Sequence, residues 1–92
     1  MSTLPITQER REEARHAVRS YLAERPSIAA HPADIRRRLN AGHANDFAPE
    51  EVSYALGFLV GLRQVECVPD SLGATLYYRI TSEGILAHER DN

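Results

Sequence analysis

The final third of the chain constrains its fold most. Residues 64–68 (QVECV) and 75–80 (TLYYRI) are short runs rich in β-branched and aromatic residues, and residues 69–73 (PDSLG) between them are turn formers. That arrangement reads as a β-hairpin. Thr81 follows at once, where a hydroxyl can accept a free amide of a helical first turn, so a last helix is expected from there. Three helical segments lie upstream. The order predicts a mainly α chain with one small two-stranded hairpin and a C-terminal helix.

With 92 residues, the chain can form one modest core and is too short for two, so residues 1–92 are expected to form a single domain. The longest uncharged apolar stretch, residues 52–62, is about half of the roughly 20 residues a membrane-spanning helix needs. The first residues, MSTLP, carry neither a basic region nor an apolar segment, which predicts no secretion signal and a cytoplasmic location with no membrane partner. Cys67 is the single cysteine, which excludes an internal disulfide and a cysteine-pair zinc site.

All 11 basic residues are arginines, whose planar fork suits phosphate and carboxylate. Residues 1–46 hold 8 arginines against 6 acids and residues 47–92 hold 3 against 7, so the halves carry +2 and −4, giving the −2 of the whole chain. An acidic balance argues against strong non-specific nucleic-acid binding, which depends on a basic footprint, but leaves room for a local patch.

Residues 1–6 are expected to be a flexible arm, and Thr7 to open a first helix that ends near Arg25 and Pro26. Ala14, Val18, Tyr21 and Leu22 share one face at helical spacing, while Arg10, Arg11, Glu12, Glu13, Arg15 and Arg19 are expected on the solvated faces. Residues 27–30 are expected to form a short edge strand beside the hairpin. Pro32 suits the first turn of a second helix, which buries Ile35 and Leu39 and stops near Asn40 and Gly42. Arg36 and Arg37 should then point outward, with Arg38 nearer the boundary. This arginine cluster reads equally as a solvated face near a helix C-terminus and as a phosphate contact.

Pro49 is expected to start the third helix, because Ala48 before a proline is biased to extended geometry. Val52, Ala55, Leu56, Leu59 and Leu62 form its buried stripe, leaving Glu50, Tyr54, Gly57, Phe58 and Gly61 outside. Tyr54 and Phe58 lie one turn apart beside the two glycines. Such a strip is expected to be covered by the N-terminal arm or to form a dimer surface. In the hairpin, Leu76, Tyr78 and Ile80 should face the helices, and Thr75, Tyr77 and Arg79 should face away. The last helix, from Thr81 to about Glu89, should turn Ile85 and Leu86 inward and end in a frayed tail at residues 90–92.

The run 59–66 (LVGLRQVE), a short turn, and then residues 77–84 (YYRITSEG) resemble winged helix-turn-helix proteins, in particular small bacterial and phage transcriptional regulators. The resemblance covers roughly residues 7–90. It implies a winged-helix fold and a double-stranded DNA-binding domain, often dimeric, with the third helix in the major groove and the wing along the backbone. Carried onto this sequence, the reading positions are Glu50, Glu51, Ser53, Tyr54 and Gly57, and the wing positions are Tyr77 and Arg79. The chain departs from that pattern in its long connection over residues 41–48 and in Arg63, where such proteins commonly have glycine. It also places two carboxylates, Glu50 and Glu51, where phosphates would approach.

Catalysis has little support. His16, His31, His43 and His88 are scattered over separate elements, and no nucleophile, base and orienting group occur at a recognisable spacing. His31 and His43 bracket the second helix but lack a third ligand, and Cys67 reads as a small strand residue. The chain is therefore expected to be no enzyme, with no cofactor, no metal and no inferable small-molecule ligand. Two readings of function stay open. The first is a DNA-binding transcriptional regulator using Arg36, Arg37, Ser53, Tyr54, Tyr77 and Arg79. The second is a protein-interaction module or homodimeric adaptor using Tyr54, Phe58 and Gly61.

Overall fold

Local signals set the helix starts. In a computed structural model that describes residues 7–43 and 45–91, the Thr7 hydroxyl accepts from Arg10 N at 3.1 Å and opens helix α1, Gln8–Ala23. The arm expected over residues 1–6 lies outside the described residues, as does the His43 side chain. Helix α2, Pro32–Asn40, has His31 as its N-cap, the Nδ1 accepting from Ala33 N at 3.1 Å. A single 3-10 turn, Ala41–His43, follows and includes Gly42 at φ +78°. Helix α3, Pro49–Gly61, begins after an extended Ala48. Strands β1, Val65–Pro69, and β2, Leu76–Ile80, pair antiparallel with Val65 opposite Ile80 and Pro69 opposite Leu76. Thr81 then caps α4, Ser82–Arg90, by accepting from Gly84 N at 3.1 Å.

One side of α1 and the inner side of α3 supply most of the core: Ala14, Val18 and Leu22 meet Val52, Ala55, Leu56 and Leu59. Ile35 joins from α2, and Val65 and Ile80 from the hairpin. Each buried valine, leucine and isoleucine of this cluster contributes about 1.5–3 kcal/mol, so the cluster dominates the stability of a small domain. Phe47 also belongs to the core and is the largest fully buried side chain. Sequence patterning missed it because it sits in a connection without periodicity, where a single aromatic carries no signal of which way it faces.

Several expected placements are corrected. Leu62 is the C-cap of α3 and is 47% exposed, because the chain leaves helical geometry there and the buried stripe ends at Leu59. Leu76 is 48% exposed, since β2 begins out toward the turn, beyond reach of the helices, and only Ile80 is fully inward. Leu86 lies outward too; Gly84 and Ala87 form the buried side of α4 and Ile85 is half-buried. The expected strand at residues 27–30 is reduced to one bridge, in which Ala30 and Tyr78 exchange both backbone hydrogen bonds at 2.8 Å. Arg19 is buried instead of solvated. Its guanidinium bonds Gln64 Oε1 at 2.9 Å and the Asp91 carboxylate, joining α1 to the ends of α3 and α4. Arg90 is helical and Asp91 is tied down, so of the tail expected to fray only Asn92 stands outside the described residues.

Candidate nucleic-acid interface

The side of α3 turned away from the core presents Glu50, Ser53, Tyr54, Gly57, Phe58 and Gly61, the surface expected of them. Its two ends are fixed differently. At the N-terminal end, Arg10 of α1 grips Glu51 with Nε to Oε2 at 2.6 Å and Nη2 to Oε1 at 3.2 Å. The same arginine donates to the Asp46 carbonyl at 2.6 Å and lies over the Phe47 ring, 4.9 Å from its centroid. Glu51 in turn accepts from Ala48 N at 2.8 Å, satisfying one of the amides a helix start leaves open. The Arg10 hydrogen bond holds the Glu51 carboxyl below its ordinary range, against the opposing effect of burial.

The connection from α2 is locked by the backbone of Phe47. Its carbonyl accepts from Arg36 Nε at 2.8 Å and Asn40 Nδ2 at 3.0 Å, and its amide donates to Asn40 Oδ1 at 2.9 Å. The stretch around Phe47 thus forms a second anchor. This bond also draws Arg36 to a half-buried position and leaves Arg38 exposed, the reverse of the expected order.

At the C-terminal end, Arg63 adopts φ +63°, the left-handed region that favours glycine. Gln64 N donates to the Leu59 carbonyl and Arg63 N to the Val60 carbonyl, both at 2.9 Å. These two bonds close the helix in the manner of a Schellman turn. Thr81 locks the turn to the wing, its hydroxyl donating to the Arg63 carbonyl at 2.6 Å and its amide to the Gln64 carbonyl at 3.0 Å. Gly84 sits so close that a Cβ there would lie 2.1 Å from Gln64 O and 2.6 Å from Ile80 Cγ1. The threonine and glycine of the 77–84 run are therefore one device that seats α4 on the end of α3.

The sequence-derived site residues divide between free and engaged. Ser53 and Tyr54 are exposed on α3. Arg37 is exposed and pairs with Asp34 at 2.8 Å. In the wing, Arg79 pairs with Glu66 across the strands at 2.9 Å, and the Tyr77 ring lies edge-on to His31, centroids 5.9 Å apart. The wing turn is held by Asp70, whose Oδ1 accepts from Leu72 N and Ala74 N. It has no basic residue, and Leu72 at its tip is 88% exposed.

Tyr54 and Phe58 stack at 6.4 Å and are 41% and 40% exposed. The described residues lying over them are arginines of α1: Arg11 is 4.9 Å from the Tyr54 centroid and Arg15 is 4.1 Å from that of Phe58. Sequence reasoning assigned both arginines to a solvated face; the i, i+4 spacing of each pair was the signal that could have matched them.

No family model matches the chain, and no curated protein matches it in sequence. Among solved structures it is similar to variants of Lactococcus lactis ZitR. A variant in the apo form aligns with a TM-score of 0.69 at 17% identity, over 90% of this chain and 57% of the other. A second variant aligns with a TM-score of 0.66 at 15% identity, over 99% and 53%. The fold is a winged helix, with three helices ahead of the two-stranded wing β1–β2 and α4 after it. The chain spans little more than half the length of the ZitR chains it matches.

Proposed function

We propose that this domain binds double-stranded DNA as a transcriptional regulator, with the exposed side of α3 in the major groove. The observation that carries this reading is the fate of Glu51. Its buried pairing with Arg10 removes one of the two carboxylates of the first turn that opposed a phosphate approach, leaving Glu50 as the exposed one of the two. Ser53 and Tyr54 in the first two turns are offered to base edges, the part of a reading helix that meets them. Arg37 and the uncommitted edge of Arg36 stand near the flanking backbone. Tyr77 and Arg79 are the wing's available contacts, and Arg79 must exchange Glu66 for phosphate to serve. At low salt, where electrostatic association is strongest, the protein is expected to retain mixed genomic fragments, and Tyr54→Ala to change which sequences are enriched. Absence of any retention refutes the reading.

A second reading has its own observation. Gly57 and Gly61 lie on the exposed side of α3, and a Cβ at either would meet nothing within 4 Å, so packing within the described residues does not require glycine there. Each costs a helix about 1 kcal/mol relative to alanine. Close approach of another helix, with Tyr54 and Phe58 as anchors, would account for both, in a homodimer or with a different protein. Sedimentation at micromolar concentration distinguishes a dimer from the 10.3 kDa monomer, and a monomer throughout removes the homodimer.

A further inference from the structure

Electrostatic attraction for a polyanion is carried by cations that no carboxylate already neutralises. Five of the arginines form ion pairs among the described residues: Arg10 with Glu51 and Asp46, Arg19 with Asp91, Arg25 with Glu24, Arg37 with Asp34, and Arg79 with Glu66. Arg36, Arg38, Arg63 and Arg90 form none there, and neither do two arginines of α1, Arg11 and Arg15. The latter two lie over Tyr54 and Phe58, on the flank of the same α3 surface that Ser53 and Glu50 share. Arg11 Nε is buried without a hydrogen-bond acceptor, so this guanidinium is incompletely satisfied in the free protein. The wing offers the opposite character, with a turn whose one charge is the Asp70 carboxylate, an exposed leucine tip and its one arginine neutralised.

We propose that Arg11 and Arg15 of α1 form the principal phosphate clamp of this domain. The duplex backbone is then gripped from the α1 flank of α3, and the wing contributes little. This rests on the DNA-binding reading and adds a contact site to it. The aromatic rings hold the two guanidinium groups one helical turn apart along α3 and leave their charge uncompensated. A phosphate supplies the missing counter-charge, and the planar guanidinium suits its oxygens. A ring face and a phosphate can engage one arginine together, because the first uses its flat side and the second its edge.

The test uses the full chain and a labelled mixed-sequence 30-base-pair duplex, with affinity measured across a salt series and folding checked by thermal melting. Arg11→Gln with Arg15→Gln is expected to weaken binding roughly tenfold or more and to make the log-affinity against log-salt slope shallower by about 1.8, about 0.9 for each lost contact. Arg11→Lys with Arg15→Lys, which keeps the charge, should restore most of the slope. Arg79→Gln should make it shallower by no more than about 0.9, the loss of a single contact. Wild-type protein that binds no duplex at low salt sinks the DNA-binding reading itself. Wild-type binding with an unaltered slope in the glutamine pair, or an equal loss in Arg79→Gln, overturns the α1 clamp and leaves that reading standing.

Discussion

The two ends of α3 are held by different physics. At its start, a charged side chain from another helix, a carboxylate and a buried aromatic ring converge on residues 46–51, so fixation there depends on protonation state and side-chain chemistry. At its finish, the joint is made largely by backbone: a left-handed residue, two carbonyl-to-amide closures and a glycine pressed against a carbonyl. A polar anchor of the first kind loosens by degrees as its charge is titrated. A steric joint of the second kind either closes or does not. One helix held by both has its orientation fixed at each end.

The largest effect should come from Phe47→Ala, which empties the core beneath the first anchor and is expected to cost about 3–5 kcal/mol. Chemical denaturation measures it, and a loss under about 1 kcal/mol would mean that the polar network holds the connection without the ring. Gly84→Ala tests the second joint. The obstructing atom is a backbone oxygen that cannot swing aside, so about 3 kcal/mol should be lost and α4 should become more open to hydrogen exchange. Unchanged stability would show that the close approach of α4 to Gln64 is absent in solution.

Glu51→Gln should cost about 2 kcal/mol at neutral pH, the scale of a charge-assisted pair in a half-dry site. Its pH dependence has a definite sign. The folded carboxyl titrates below its unfolded value of about 4.3, so its contribution is full above that value and disappears as pH falls through the folded one. Wild type and variant should therefore converge in acid, and curves that stay parallel there would break the contrast between a titratable and a steric anchor. The smallest effect is a gain. Arg63→Gly should stabilise the domain by about 1 kcal/mol by relieving the left-handed strain, with a higher melting temperature as the measure. A loss would show that the Arg63 side chain supports the joint in a way its exposed position does not reveal.

By itself, the sequence determined the order of elements and most of their starts. Thr7, Pro32, Pro49 and Thr81 act within one turn of themselves, and the 69–73 turn needs nothing distant to bend, so local chemistry is enough to read them. It also determined the inner stripe from Val52 to Leu59, because helical periodicity is a property of neighbours along the chain. Tertiary structure alone decided what the charges do. Whether an arginine is solvated, as Arg19 was expected to be, or is a buried strut depends on which carboxylate or amide the fold brings to it across 45 or 72 residues. The same holds for the pairing of Arg10 with Glu51 and for the placement of Arg11 and Arg15 over the aromatic rings of α3. Electrostatic and ring contacts act through space over a few ångströms, and spacing along the chain, even the shared i, i+4 interval of Arg11 and Arg15 with Tyr54 and Phe58, marks residues that can match without deciding that the fold brings them together.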